Sequence, residues 1–275
     1  MKNPYEHLHI YNFDRIPKPD EPLASHPAYL GTWEEDGTAF LFFSAPAKDI
    51  VHRIDRSDPD ISLVAHYEMS CEEWHGDRIE PYRVEDFCIA PPWDRPADKD
   101  LRESTLEVIL DPGVVFGTGR HQTTEDCLTL MHRIIKRESM DRVMDIGTGT
   151  GLLALGAAAL GCRQVLACDF NRLAVQTTLK NIRLNRFEDR ILAFQARGEE
   201  MMSIPCDLMV ANIHYDVMQH IIAHPGFLDN PWFILSGLLN SETQKVLAVL
   251  EDKPVHIVER RCPDGIWNTI LGRRV

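Results

Sequence analysis

In the second half of this chain, short apolar blocks alternate with stretches whose apolar residues recur every three to four positions. The blocks are 143–144, 165–168, 191–194, 208–211 and 232–235, and the helix-like stretches between them are 152–160, 171–185, 213–223 and 241–251. Apolar runs bounded by amphipathic segments predict β-strands joined by crossover helices, and hence a largely parallel sheet. Two further runs, 255–260 and 265–271, are separated only by the turn sequence CPDG and predict a closing hairpin. The expected core is a doubly wound sheet of seven strands, the last two antiparallel.

The first half has a different rhythm. Residues 5–13 alternate through Leu8 and Ile10 as a strand, and 28–33 and 38–43 form two more strands around the turn EEDG. A helix is expected over 47–56, with Ile50, Val51 and Ile54 on one side, and another strand over 61–69. Pro17, Pro19, Pro22 and Pro27 fall where a first helix would lie, so that helix is expected to be short or missing. The order β, broken segment, β, β, α, β approximates a ferredoxin-like unit. The pattern therefore divides the chain into a small α+β domain (1–70), a linker (71–104) and the α/β domain (105–275). The linker is acidic and rich in proline, with one strand over 82–90, and a clear strand follows at 105–110.

Chemistry enters at residues 142–170. A strand ends in Asp145, Gly147, Gly149 and Gly151 follow at alternate positions, and the next strand ends in Asp169. Glycines permit a tight turn and close backbone approach to a ligand, and an acid at the next strand end suits ribose hydroxyls. The spacing is G-x-G-x-G rather than the dinucleotide G-x-G-x-x-G. Asp145, two residues ahead of the first glycine, would repel a pyrophosphate but suits an ammonium group. S-adenosylmethionine carries an ammonium and no phosphate, so the core reads as that of a methyltransferase. A second glycine-rich stretch, DPGVVFGTGRHQTTEDCL over 111–128, predicts a long turn ahead of a helix that starts near Thr123 or Thr124, with Glu125 and Asp126 in its first turn, and runs to about Arg137. Loops of this kind at the mouth of a doubly wound sheet close over ligands.

Composition narrows the setting. Among the 275 residues the formal charge is −13, and it is uneven: residues 1–110 hold 23 acidic and 11 basic side chains, while the rest is nearly neutral. An acidic first third disfavours direct contact with nucleic acid and suits a basic partner. Seven cysteines without a C-x-x-C pair argue for a reducing cytoplasm, with no disulfide framework and no zinc site. His220 and His224 are spaced to share a helix face but lack a third ligand nearby, so no metal is expected. There is no apolar run of membrane-spanning length and no signal-peptide core at the start, so neither membrane association nor export is expected.

The stretches DPGVVFGTGRHQTT, DIGTGTG, CDLMVANI, LSGLLNSETQKV and DGIWNTILGRR together resemble the PrmA family, the methyltransferases of ribosomal large-subunit protein eleven. The resemblance covers roughly residues 82–274. It implies a Rossmann-like, seven-stranded class I methyltransferase domain that uses S-adenosylmethionine to methylate lysine side chains and an N-terminal amine of a basic ribosomal protein. By match to the family, Thr124 contacts the cofactor, Gly147 and Gly149 form its turn, Asp169 binds ribose, and Asn212 stands where cofactor and amine meet. The chain departs from the family in carrying Thr148 and Thr150 within the turn, Asn171 in place of a second acid, and prolines in place of the first N-terminal helix.

Methyl transfer is an in-line displacement, so the enzyme chiefly aligns a neutral amine with the methyl carbon. Asn212 is expected to accept hydrogen bonds from the amine together with a nearby backbone carbonyl, Asp145 to face the methionine ammonium, and Phe170 to lie along the adenine. Glu199 is a candidate for the adenine amino group. An imidazole is the side chain suited to proton exchange at physiological pH, so His121 is a candidate either for proton transfer or for holding the loop or the cofactor carboxylate. His214 and Tyr215 are candidates for the substrate mouth. Methyltransferases of RNA or small molecules, and a module that binds the cofactor without turnover, use the same core and remain the competing readings.

Overall fold

A computed structural model describes residues 3–18, 21–97 and 102–275. The chain forms two compact units, one of residues 1–79 with 112–116, the other of 80–111 with 117–275.

In the first unit, strands β1 (His7–Phe13), β2 (Tyr29–Glu35), β3 (Thr38–Phe43) and β4 (Leu63–Ser70) form one antiparallel sheet in the order β2-β3-β1-β4. Among the described residues the proline-rich segment contributes a four-residue helix, α1 (Glu21–Ala24), whereas α2 (Lys48–Ser57) forms as its apolar spacing predicts. Ile50, Val51 and Ile54 of α2 pack onto Tyr11, Phe13, Leu41 and Phe43 of the sheet. A short helix α3 (Cys71–His75) follows β4, opened by a capping box between Ser70 and Glu73 and closed at Gly76 in the left-handed conformation. Segment 112–116 packs with this unit, where the Trp74 indole N–H donates to the Val114 carbonyl at 2.9 Å.

The second unit begins with β5 (Tyr82–Val84), β6 (Phe87–Ala90) and β7 (Leu106–Ile109), a small sheet built from part of the segment expected to be a linker. The expected single strand over 82–90 is a tight hairpin because Glu85 turns the chain with φ of +50°. The main sheet contains β8 (Arg142–Ile146), β9 (Gln164–Asp169), β10 (Ile191–Gln195), β11 (Leu208–Asn212), β12 (Trp232–Leu239), β13 (Val255–Arg261) and β14 (Trp267–Arg274), ordered β10-β9-β8-β11-β12-β14-β13. The first five are parallel, and β14 runs antiparallel to both neighbours. This is the seven-stranded Rossmann-like arrangement that the alternation of apolar blocks predicts.

Alternate strand residues feed two cores. Val143, Val165, Leu208, Val210 and Ile234 point to the face covered by α4 (Gln122–Arg137), α5 (Leu152–Ala159) and α6 (Arg172–Asn185). Met144, Met209, Ala211, Phe233 and Leu235 point to the face covered by α7 (Tyr215–Ala223) and α8 (Asn240–Glu251). Helix α5 is apolar all round because it is buried all round, and Leu and Ala make it a strong helix former. A methyl group on Gly156 would meet Leu128 of α4 at 3.0 Å, so this glycine sets how closely the two helices approach. Order of the strands brings the carboxyl ends of β8, β9 and β11 to one edge, where a doubly wound sheet binds ligands.

Candidate functional site

The glycine turn between β8 and α5 is the centre of the site. Gly147, Gly149 and Gly151 have φ of +69°, +56° and +87°, a conformation that costs other residues steric strain. Four N–H groups of the turn are spent on protein acceptors. Gly147 and Thr148 donate to the Cys168 carbonyl, Gly149 to Asp169 Oδ2 at 3.0 Å, and Gly151 to the Thr148 carbonyl. A phosphate cradle needs such N–H groups directed at the ligand. This turn is therefore suited to a ligand without phosphate.

Asp145 occupies the place an anion would otherwise take. Its Oδ2 accepts from the Thr148 hydroxyl at 2.6 Å and from the Ala154 N–H at 3.1 Å, in the first turn of α5. Its Oδ1 is buried with no partner among the described residues. Burial pushes the carboxyl up to about 6, against the pull of those two donors. A buried carboxylate oxygen with no donor is a fitting partner for a cation. Asp169 is also buried. Its Oδ1 accepts from the Asn171 N–H and its Oδ2 from Gly149, leaving one lone-pair direction on each oxygen for a diol, while burial raises its pKa.

Two latches hold the turn. From α6, the Thr178 hydroxyl donates to the Gly149 carbonyl, and the fully buried Asn181 donates to the carbonyls of Thr150 and Asp111. From the second glycine-rich loop, the Gly117 carbonyl accepts from the Thr150 hydroxyl at 2.8 Å. Tyr82 fixes that loop by donating to the Thr118 carbonyl, with the Arg120 guanidinium over its ring. A side chain on Gly119 would strike the Tyr82 hydroxyl and Leu152.

The loop delivers His121 to the N-cap of α4, where its Nδ1 accepts from the Thr123 N–H and pairs with the Thr123 hydroxyl at 2.7 Å. The cap fixes the first turn of α4 and with it Thr124. Thr124 Oγ1 accepts from Asn212 Nδ2 at 3.2 Å across 88 residues of sequence. That bond fixes the Asn212 amide with its oxygen turned away from Thr124. Among the described residues, Oδ1 is in no hydrogen bond.

A model of the family "Ribosomal protein L11 methyltransferase (PrmA)" matches residues 32–275. The chain belongs to that family. A ribosomal protein L11 methyltransferase of Bacillus velezensis is 33% identical over 274 residues, 96% of this chain and 85% of that protein. One of Streptococcus uberis is 30% identical over 217 residues, covering 77% and 67% of the two chains. The crystal structure of a ribosomal protein L11 methylase from Lactobacillus delbrueckii subsp. bulgaricus superposes with a TM-score of 0.59 at 27% identity, over 71% of this chain and 98% of that one.

Of the residues singled out in the sequence, the family fold gathers Thr124, Asp145, Gly147, Gly149, Asp169 and Asn212 at one edge of the sheet. Phe170 follows Asp169 directly and is 58% exposed. Glu199 lies in a 3-10 turn after β10, 3.8 Å from Arg197. His214 is the exposed N-cap of α7, and the Tyr215 ring carries the Lys245 ammonium at 5.0 Å. His220 and His224 do not pair on one helix face: α7 ends before His224, whose Nδ1 accepts from the Gly226 N–H. No cluster able to hold a metal occurs among the described residues. The latches Thr178 and Asn181 escaped the sequence reading because they sit inside an ordinary amphipathic helix. Their only signal is a run of polar residues at helical spacing that stays buried.

Proposed function

We propose that this chain transfers a methyl group from S-adenosylmethionine to amino groups of ribosomal protein L11. The observation that carries the reading is the Asn212 amide, held at a strand end by Thr124 with its oxygen free, beside a turn built for a ligand without phosphate. When bound, the cofactor supplies a methyl group on a positively charged sulfur. Asp169 would hold the ribose hydroxyls, Asp145 Oδ1 the methionine ammonium, Phe170 the adenine ring and Glu199 its amino group. Asn212 Oδ1 and the neighbouring Ile213 carbonyl accept from the incoming amine and direct its lone pair at the methyl carbon. An amide suits this role because it stays an acceptor at neutral pH whatever the proton does.

His121 serves as the cap that positions Thr124: Nδ1 accepts from the Thr123 N–H, which leaves the neutral ring's proton on Nε2 and makes that nitrogen a donor. The acidic first third of the chain complements a basic protein substrate. Such a substrate is made in the cytoplasm, where cysteine thiols persist in the reduced state. The test is transfer of tritium from labelled S-adenosylmethionine to purified ribosomal protein L11. Label on L11 is expected, reduced about 100-fold for Asn212→Ala with cofactor affinity little changed. Cofactor binding without label on L11, while another protein in a lysate is labelled, would replace the substrate and keep the chemistry.

A further inference from the structure

Asn212 and Ile213 have a neighbour that no role above includes. On β12, Ser236 is the register partner of Asn212 and accepts the Ile213 N–H at 3.2 Å. The next residue, Gly237, is the bulged residue of a register break against β14 and has φ of +84°. The bulge is pinned on both sides. Before it, the Ser236 hydroxyl is 2.6 Å from the Thr269 hydroxyl. After it, the fully buried Asn268 donates to the Leu238 carbonyl and to Asn240 Oδ1. A Cβ on Gly237 would stand 2.8 Å from the Ile213 carbonyl oxygen and 3.2 Å from Asn212 Oδ1. Both are the distances at which a nitrogen donates to oxygen. One point beside Gly237 thus lies within hydrogen-bond range of both acceptors, and a backbone carbonyl cannot swing aside as a flexible side-chain end can.

We propose that Gly237 is a positioning residue that keeps Asn212 Oδ1 and the Ile213 carbonyl open to the methyl-accepting nitrogen. The proposal rests on the amine-methylation reading above. A side chain at 237 takes the volume the nitrogen needs and presses on both acceptors, while the cofactor contacts of Asp145 and Asp169 lie on other strands. Its effect falls on kcat rather than on cofactor affinity.

The experiment compares Gly237→Ala with Gly161→Ala. Gly161 also has a positive φ, +103°, but a Cβ there meets nothing within 4 Å and the residue leads from α5 into the amino end of β9, away from the carboxyl ends of the strands. Gly161→Ala therefore imposes similar backbone strain without obstructing the acceptors. With L11 as acceptor, Gly237→Ala is expected to lower kcat about 100-fold. S-adenosylhomocysteine affinity by calorimetry should stay within about threefold and the far-ultraviolet dichroism should be unchanged, while Gly161→Ala stays active. Should Gly237→Ala not fold, Gly237→Asn is measured, since asparagine tolerates the left-handed backbone yet still carries a Cβ. A folded variant at 237 that keeps kcat overturns the proposal, and so does failure of both variants to fold, which would assign the glycine to the fold. Wild-type protein that labels no amine on any protein refutes the function reading instead, before any variant is compared.

Discussion

Asp145 shows how one buried carboxyl couples stability, pH and ligand. Its pKa is pushed up to about 6 by burial, whereas an unfolded Asp titrates near 4. Between those values the folded state holds a proton the unfolded state has released, so this group lowers stability as pH rises from about 4 to about 6. A bound ammonium reverses the preference and favours the ionised form. Affinity for S-adenosylmethionine is therefore expected to tighten by about tenfold per pH unit up to about 6 and then level off. Calorimetric titrations between pH 5 and pH 8 read this directly. Asp145→Asn should bind more weakly with no such slope, and a wild-type profile that is flat below pH 6 would remove Asp145 from the ammonium. Both this acid and Asp169 were legible in the sequence because alternate glycines and two strand ends fix where they must stand. The role of His121 was not, since one lone pair decides between cap and base, and spacing cannot say which way an imidazole points.

At the scale of elements, helix α4 is joined to strand β13 by charge. Asp126, 1% exposed just past the first turn of α4, meets Arg261 at 2.7 Å, and Arg133 further along the helix meets Glu259 at 2.7 Å. Burial still raises the pKa of Asp126, opposed by Arg261, and its Oδ2 has no hydrogen-bond partner among the described residues. Removing Arg261 would leave that carboxylate buried without its counter-charge, with the Gln122 amide still donating to Oδ1 at 3.2 Å. Arg261→Ala is expected to destabilise by about 2 kcal/mol, less than the ~3–5 kcal/mol of a fully buried pair because the arginine is partly exposed. The double variant Asp126→Leu, Arg261→Leu should recover most of the loss, which urea unfolding would measure. Equal stability of the single and double variants would show that the carboxylate finds another partner. In the sequence Asp126 reads only as a first-turn acid complementing the helix dipole, because its partner lies 135 positions away on a strand whose pairing no local pattern reveals. The bulge at Gly237 was hidden differently: the apolar block that predicts a strand ends at 235, so the glycine fell outside it, whereas β12 continues to Leu239 and breaks its ladder at Gly237.

Over the whole molecule, charge is distributed more tellingly than it is summed. Residues 1–110 carry 23 acidic and 11 basic side chains, a net of −12 within a total of −13. Exposed charges act over a Debye length, about 30 Å at 0.01 M salt and about 8 Å at 0.15 M. Salt therefore weakens attraction for a basic substrate protein while scarcely touching buried contacts such as those of Asp145. The Michaelis constant for L11 is expected to rise roughly three- to tenfold between 20 and 200 mM potassium chloride, with kcat and cofactor affinity unchanged. A free lysine analogue, which offers one charge rather than a charged surface, should show almost no salt dependence. If L11 and the analogue respond alike, the acidic first third does not steer the substrate and the excess of acids serves solubility alone. If only L11 responds, the imbalance that spacing motifs could not explain becomes part of how the enzyme selects a protein over a free amine.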